Sequence, residues 1–166
     1  MIYKAIGCLI LLLVGGYVSL SVHRFEHLRL RVLDGYISLI YHIKGQIDCY
    51  AMPVSEILAR ADPAVLAACL GISRPTDVVS REGTRFLPNM VRESRLYLEP
   101  EAERLLTAFT GELGSAYRAE QVARCDYYIQ ALTEERRKLY ETMPARLRTC
   151  SVLCLCCAMG AAVLLW

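Results

Sequence analysis

His23 and His27 stand four residues apart with Glu26 beside them, the spacing that puts two imidazoles on one face of a helix. Such a pair can hold Zn²⁺, but a zinc centre needs a third ligand and the sequence nominates none beyond Glu26. Polar residues at a membrane surface account for the pair more simply, and no metal is expected. Cysteine is the other reactive type, with eight in the chain. Cys150, Cys154, Cys156 and Cys157 cluster near one end. Yet Cys150, Cys154, Ala158 and Ala162 repeat every four residues with Cys157 and Ala161 alongside, a stripe of small side chains that lets another transmembrane helix approach closely. Packing is therefore the expected role, not metal or redox chemistry. A Cys–His nucleophile pair would need a histidine beside Cys49, Cys69 or Cys125, and only His42 lies away from the emerging segment. No glutamates fall at a spacing that singles out a general acid and base. Neither G-x-x-x-x-G-K-[ST] nor G-x-G-x-x-G occurs, so the backbone cradle for phosphates is missing. The expectation is no catalytic residue, no cofactor and no small-molecule substrate.

The segments flanking these residues explain where they sit. The chain is 55% apolar over 166 residues, enough for one domain and richer in apolar residues than a soluble domain. The excess lies at the two ends. Ala5 to Val22 and Thr149 to Trp166 are each 18 residues without a charge, just long enough to span a bilayer. The first reads as an uncleaved anchor, because "YVSLSVHR" is a poor cleavage site and only Lys4 precedes the apolar run. All but Lys4 of the 19 basic residues, and all 17 acidic ones, lie between the spans. Arg24, Arg29 and Arg31 follow one span, and Arg136, Arg137, Lys138, Arg146 and Arg148 precede the other. The positive-inside rule then predicts a cytoplasmic middle region. Its near-neutral charge is no nucleic-acid footprint, and thiols there stay reduced. The expected organisation is an anchor over 1–22, a helical bundle over 23–148 and a second transmembrane helix over 149–166.

Within the middle region the apolar period is helical throughout. Leu33, Tyr36, Ile37, Ile40, Ile43 and Ile47 predict a long helix continuing out of the first span. A corner at Asp48 to Ser55 follows, where Pro53 breaks the helix and Ser55 is a candidate N-cap for the next. Pro63 to Gly71 has proline at its first turn and glycine at its end. Ile72 to Ser94 carries Gly83 and Pro88 and is expected to be kinked or broken. Pro100, Glu101 and Glu103 open a helix that Gly114 stops. Val122, Cys125, Ile129, Leu132, Leu139 and Met143 predict a last long helix leading to Pro144, with Glu134 and Lys138 as an i, i+4 pair. The fold class is all-α: an antiparallel bundle of about six helices between N- and C-terminal transmembrane helices.

The stretch "LRVLDGYISLIYHIKGQIDCYAMPVSEIL", with Leu39, Ile43, Ile47, Tyr50, Pro53, Glu56 and Ile57 at the matching positions, resembles the stage III sporulation protein AB family. "FTGELG" at Phe109 to Gly114 and "EQVARCDYYIQAL" at Glu120 to Leu132 are similar to the family's turn and its Gln-containing last helix. Gln46 and the "SAYRAEQ" stretch depart from residues common in relatives. The resemblance covers nearly the whole chain. It implies a non-enzymatic platform subunit of the stage III sporulation A assembly, which joins mother cell and forespore in endospore-forming bacteria. The implied bundle is similar to the platform protein of type II secretion and type IV pilus systems. The implied partners are the assembly's secretion-type ATPase, its other membrane subunits and membrane lipid, in the mother-cell membrane facing the forespore.

Tyr50, Met52, Pro53 and Glu56, at the corner, are the candidate partner-binding residues. Two other expectations compete: a membrane-tethered metal or redox carrier using His23, His27 and the cysteines, and a platform for pilus-like secretion outside sporulation.

Overall fold

The structure is a computed structural model that describes the backbone of residues 2–50, 54–59, 61–70 and 86–165; within these ranges the side chains of 2–6, 8–12, 50, 54, 55, 59, 63, 155, 158 and 161–165 are not described. Every element among the described residues is helical. In chain order they are α1 (Ile2–Tyr50), α2 (Val54–Ala59), α3 (Pro63–Cys69), α4 (Phe86–Ser94), a 3₁₀ turn (Arg95–Tyr97), α5 (Pro100–Glu112) and α6 (Arg118–Leu165).

The chain divides into two compact units, Leu28–Lys138 and the pairing of Met1–His27 with Leu139–Trp166. In the second of these, the hydroxyls of Ser19 and Ser151 share a hydrogen bond of 3.1 Å, so α1 and α6 approach each other there. Among the described residues no helix is long and apolar enough to cross a membrane. Within the expected spans, side chains 5, 6, 8–12, 155, 158 and 161–166 lie outside that description.

In the unit Leu28–Lys138, the predicted stripe on α1 is buried except for Ile37, which is partly buried at the edge of the core. Leu33, Tyr36, Ile40, Ile43 and Ile47 are core residues, joined by Val32 and Leu39. They meet Ile57 and Leu58 of α2, Leu66 and Cys69 of α3, Met90 and Val91 of α4, Leu106 and Phe109 of α5, and Cys125, Ile129 and Leu132 of α6. Each fully buried aliphatic side chain contributes about 1.5–3 kcal/mol against exposure, so this single cluster holds the short helices α2 to α5 and the first part of α6 against α1. Two features fix their positions. At Gly35 the backbone of α3 lies against α1, where a Cβ would meet the Cys69 nitrogen at 2.8 Å. At Tyr36 the phenol reaches Ser94 Oγ at 2.6 Å; Ser94 in turn donates to the Met90 carbonyl, so the tyrosine is the donor. Burial pushes the Tyr36 phenol well above the ordinary tyrosine range.

Several local expectations hold, and others need correction. The helix ends at Tyr50 and Glu112, the proline openings at Pro63 and Pro100 and the turn at Gly114, whose φ is 83°, agree with the sequence reading. Ser55 is not an N-cap: α2 starts at Val54, so Ser55 sits inside its first turn. The cap the sequence reading missed is Asp62, whose Oδ1 accepts the Ala64 N–H at 2.8 Å and opens α3. Of the segment expected to be broken, Phe86–Ser94 is helix with Pro88 in its first turn, where a missing N–H costs no intrahelical bond; Gly83 lies outside the described residues. The last helix continues through Pro144 to Leu165 as one element, with the flanking turns carrying it past the one bond to the Tyr140 carbonyl that proline cannot make. Glu134 and Lys138 attract each other as expected: Arg137 lowers the Glu134 pKa most, and the Lys138 ammonium lowers it further. Glu134 binds Arg137 at 2.6 Å and Lys138 binds Glu135 at 2.6 Å, both one residue closer.

Candidate functional site

Antiparallel pairing of α1 with α6 in the bundle unit follows from three ion pairs. Asp34 meets Arg136 in a bidentate contact, Lys44 meets Asp126 at 2.5 Å, and Asp48 meets Arg118 at 3.3 Å. Ten residues forward on α1, from Asp34 to Lys44, match ten residues back on α6, from Arg136 to Asp126. The sign alternates along α1 as acid, base, acid, so sliding one helix past the other separates the partners. Each exposed pair contributes at most about 1 kcal/mol, and their arrangement specifies register more than it adds stability. The Asp126 carboxylate raises the Lys44 ammonium pKa above its ordinary value.

The third pair brings together one end of this unit. Arg118 also donates to the Asp48 backbone carbonyl, tying the start of α6 to the last turn of α1. A fan of charges continues from there: Arg124 binds Glu120 at 2.6 Å, Glu112 at 3.5 Å and the Ser115 hydroxyl at 3.4 Å. The turn between α5 and α6 is held by Gln121, only 3% exposed, whose Oε1 accepts the Gly114 N–H at 3.2 Å. From that fixed turn Tyr117 projects with 90% of its surface open to solvent. An exposed aromatic next to Arg118 in a stretch that also carries Glu120 and Arg124 has the composition of a protein-binding surface, where aromatics and arginines carry most of the energy.

Of the corner residues named from sequence, Glu56 is exposed in the first turn of α2. Tyr50 closes α1, with its side chain outside the description, and Met52 and Pro53 lie outside the described residues. Tyr117 and Arg118 were missed, because an exposed tyrosine in a turn carries no periodic signal. Of the small-residue stripe, Cys150 and Cys154 are half-buried and Cys157 is exposed; the side chains of Ala158, Ala161 and Ala162 are outside the description.

The basic run ahead of the second terminal segment is largely committed. Arg136, Arg137 and Lys138 pair with Asp34, Glu134 and Glu135. An open groove of about 740 Å³ between α5 and α6 is lined by Arg95, Glu103, Arg104, Thr107 and Tyr127 among others; its Arg95–Glu103 and Arg104–Glu101 ion pairs are structural contacts.

The thiols of the bundle are set for packing. Cys69 and Cys125 are fully buried, and burial pushes their pKa up to about 12 and about 11, so both stay protonated and weakly nucleophilic at neutral pH. No group of three metal-capable side chains occurs among the described residues. Glu26, expected beside the histidines, is 8% exposed and turned inward, whereas His23 and His27 are exposed.

Residues 4–166 match the family model described as stage III sporulation protein AB. No curated protein and no solved structure matches the chain. The match runs through the helix that supplies Tyr36, the turn fixed by Gly114 and Gln121, and the whole of α6, and on this evidence the chain belongs to the stage III sporulation protein AB family and serves stage III of sporulation.

Proposed function

We propose that the chain is a non-enzymatic platform subunit of the stage III sporulation A assembly, held in the mother-cell membrane facing the forespore and required for endospore formation. The observation that carries this reading is the family match along residues 4–166 of an all-helical chain. Residues 5–22 and 149–166 are its membrane spans, uncharged and each 18 residues long. The Ser19–Ser151 hydrogen bond supports their pairing, since hydroxyls bond across helices where lipid offers no partner. The bundle, with all but one of the basic residues, faces the cytoplasm.

In this reading the bundle presents the end built from Asp48, Glu56, Tyr117, Arg118 and Arg124 to the assembly's secretion-type ATPase, while the membrane segments meet its other membrane subunits. A photo-crosslinking amino acid at position 117, incorporated in sporulating cells, tests the docking directly. The expected product is a single crosslinked species containing the ATPase. Crosslinks formed at an exposed control position on α1, such as Ser38, and absent at 117 contradict the assignment of this end.

A further inference from the structure

The two histidines that the platform reading leaves unused face each other. His23 and His27 bring their Nε2 atoms to 3.1 Å, with ring centroids 4.5 Å apart and the planes at 74°, and both rings are exposed. A metal ion bonded at about 2.0–2.1 Å to two nitrogens spaces them about 3.3 Å apart at a tetrahedral angle and about 2.9 Å apart at a right angle. The observed separation lies between these two values. The rings are carried one turn apart on one helix, so a cation can be gripped without bending the backbone.

We propose that His23 and His27 form a two-imidazole clamp for a borderline divalent transition-metal ion, its remaining coordination positions filled by water. Without metal, one ring donates its single Nε2 proton to the other. On binding, the donor ring shifts to its Nδ1–H tautomer, Nε2 giving a proton to solvent as Nδ1 takes one, so that both Nε2 atoms give lone pairs to the cation with no net proton released. Glu26 is buried, and the clamp is assigned to the two exposed imidazoles. Two imidazoles and no thiolate favour Cu²⁺ over Ni²⁺ and Zn²⁺. The clamp does not depend on the platform role, and it needs none of the cysteines.

The test is a titration of the full chain in detergent, in a background where Cys8, Cys49 and the four cysteines of the last segment are serine. Cu²⁺ is the main probe, with Ni²⁺ and Zn²⁺ for comparison. The expected result is one equivalent of Cu²⁺ per chain, with electron paramagnetic resonance showing coupling to two imidazole nitrogens. His23→Ala and His27→Ala should each weaken binding by roughly tenfold or more, the scale of even an outer-shell loss, at unchanged helicity because both rings are exposed. His23→Ala combined with Arg31→His, which rebuilds the spacing one turn along, should restore it. Binding that ignores both alanine substitutions, depends on only one histidine, or is not recovered by the rebuilt pair overturns the clamp. Should an alanine variant lose helicity, His23→Gln and His27→Gln give the same reading.

Discussion

The Gly114 N–H donates to Gln121 Oε1 at 3.2 Å, joining the turn after α5 to the first turns of α6. Gly114 takes a φ of 83°, open to glycine and strained for most other residues, and Gln121 is buried beneath the turn. Two of the three stretches by which this chain resembles its family, "FTGELG" and the Gln-bearing last helix, are thus joined in one contact. Its consequence is to set where Tyr117 and Arg118 stand.

Replacing Gln121 by leucine strands the Gly114 donor and should destabilise the bundle by about 1–3 kcal/mol. Gln121→Glu, which keeps an acceptor at that position, should lose less. Thermal unfolding followed by circular dichroism reads the difference, and equal losses for both variants contradict the role of this hydrogen bond.

Gly35→Ala should also destabilise, by about 1–3 kcal/mol, because the added methyl meets backbone of α3 at 2.8 Å and backbone yields less than a side chain. Gly45→Ala is the control. Nothing lies within 4 Å of a Cβ at that helical position, so the change should be neutral or stabilise by up to about 1 kcal/mol. Opposite signs at the two glycines are expected in the same unfolding experiment.

The register proposed for α1 and α6 is tested by charge exchange. Asp34→Lys places two cations together and should lower stability; adding Arg136→Asp should recover most of the loss. The exchange energy should stay near 1 kcal/mol, since both side chains are about half exposed. Full additivity of the two single changes contradicts the pairing.

Thiol chemistry separates the cysteines. In the native chain at pH 8, iodoacetamide should modify the exposed Cys49 and spare Cys69 and Cys125. The folded state holds these two thiols protonated to about pH 12 and about pH 11, against an ordinary 9.0. An unfolded chain ionises first and binds fewer protons over that interval, so stability should fall as pH rises from about 9 to about 11. Cys125→Ala should flatten that decline.

Much of the fold is legible in sequence because helix burial repeats at a fixed period: Leu33, Tyr36, Ile40, Ile43 and Ile47 mark one face of α1 whatever packs against it. Contacts that depend on a second element are not legible in the same way. Gly35 looks like an ordinary helical glycine until α3 is placed on it, and Gln121 looks like a surface residue until the turn folds beneath its amide. The i+3 and i+4 positions of a helix are near-equivalent neighbours, so Glu134, Glu135, Arg137 and Lys138 allow several pairings and sequence does not choose among them. Asp62 before Pro63 was a readable cap signal, overlooked in favour of the proline. At the end proposed to dock, the sequence marks the corner after α1 but not Tyr117, which is singled out only by its exposure in the structure.

The central claim is that this chain is a docking platform. Affinity purification of the tagged protein from detergent-solubilised membranes of sporulating cells, with mass spectrometry of everything retained, tests it most directly. The account predicts recovery of a secretion-type ATPase together with other stage III sporulation A subunits, and loss of the ATPase alone when Tyr117 and Arg118 are changed to alanine. Recovery of the protein by itself under conditions that keep the assembly's other subunits together contradicts the account.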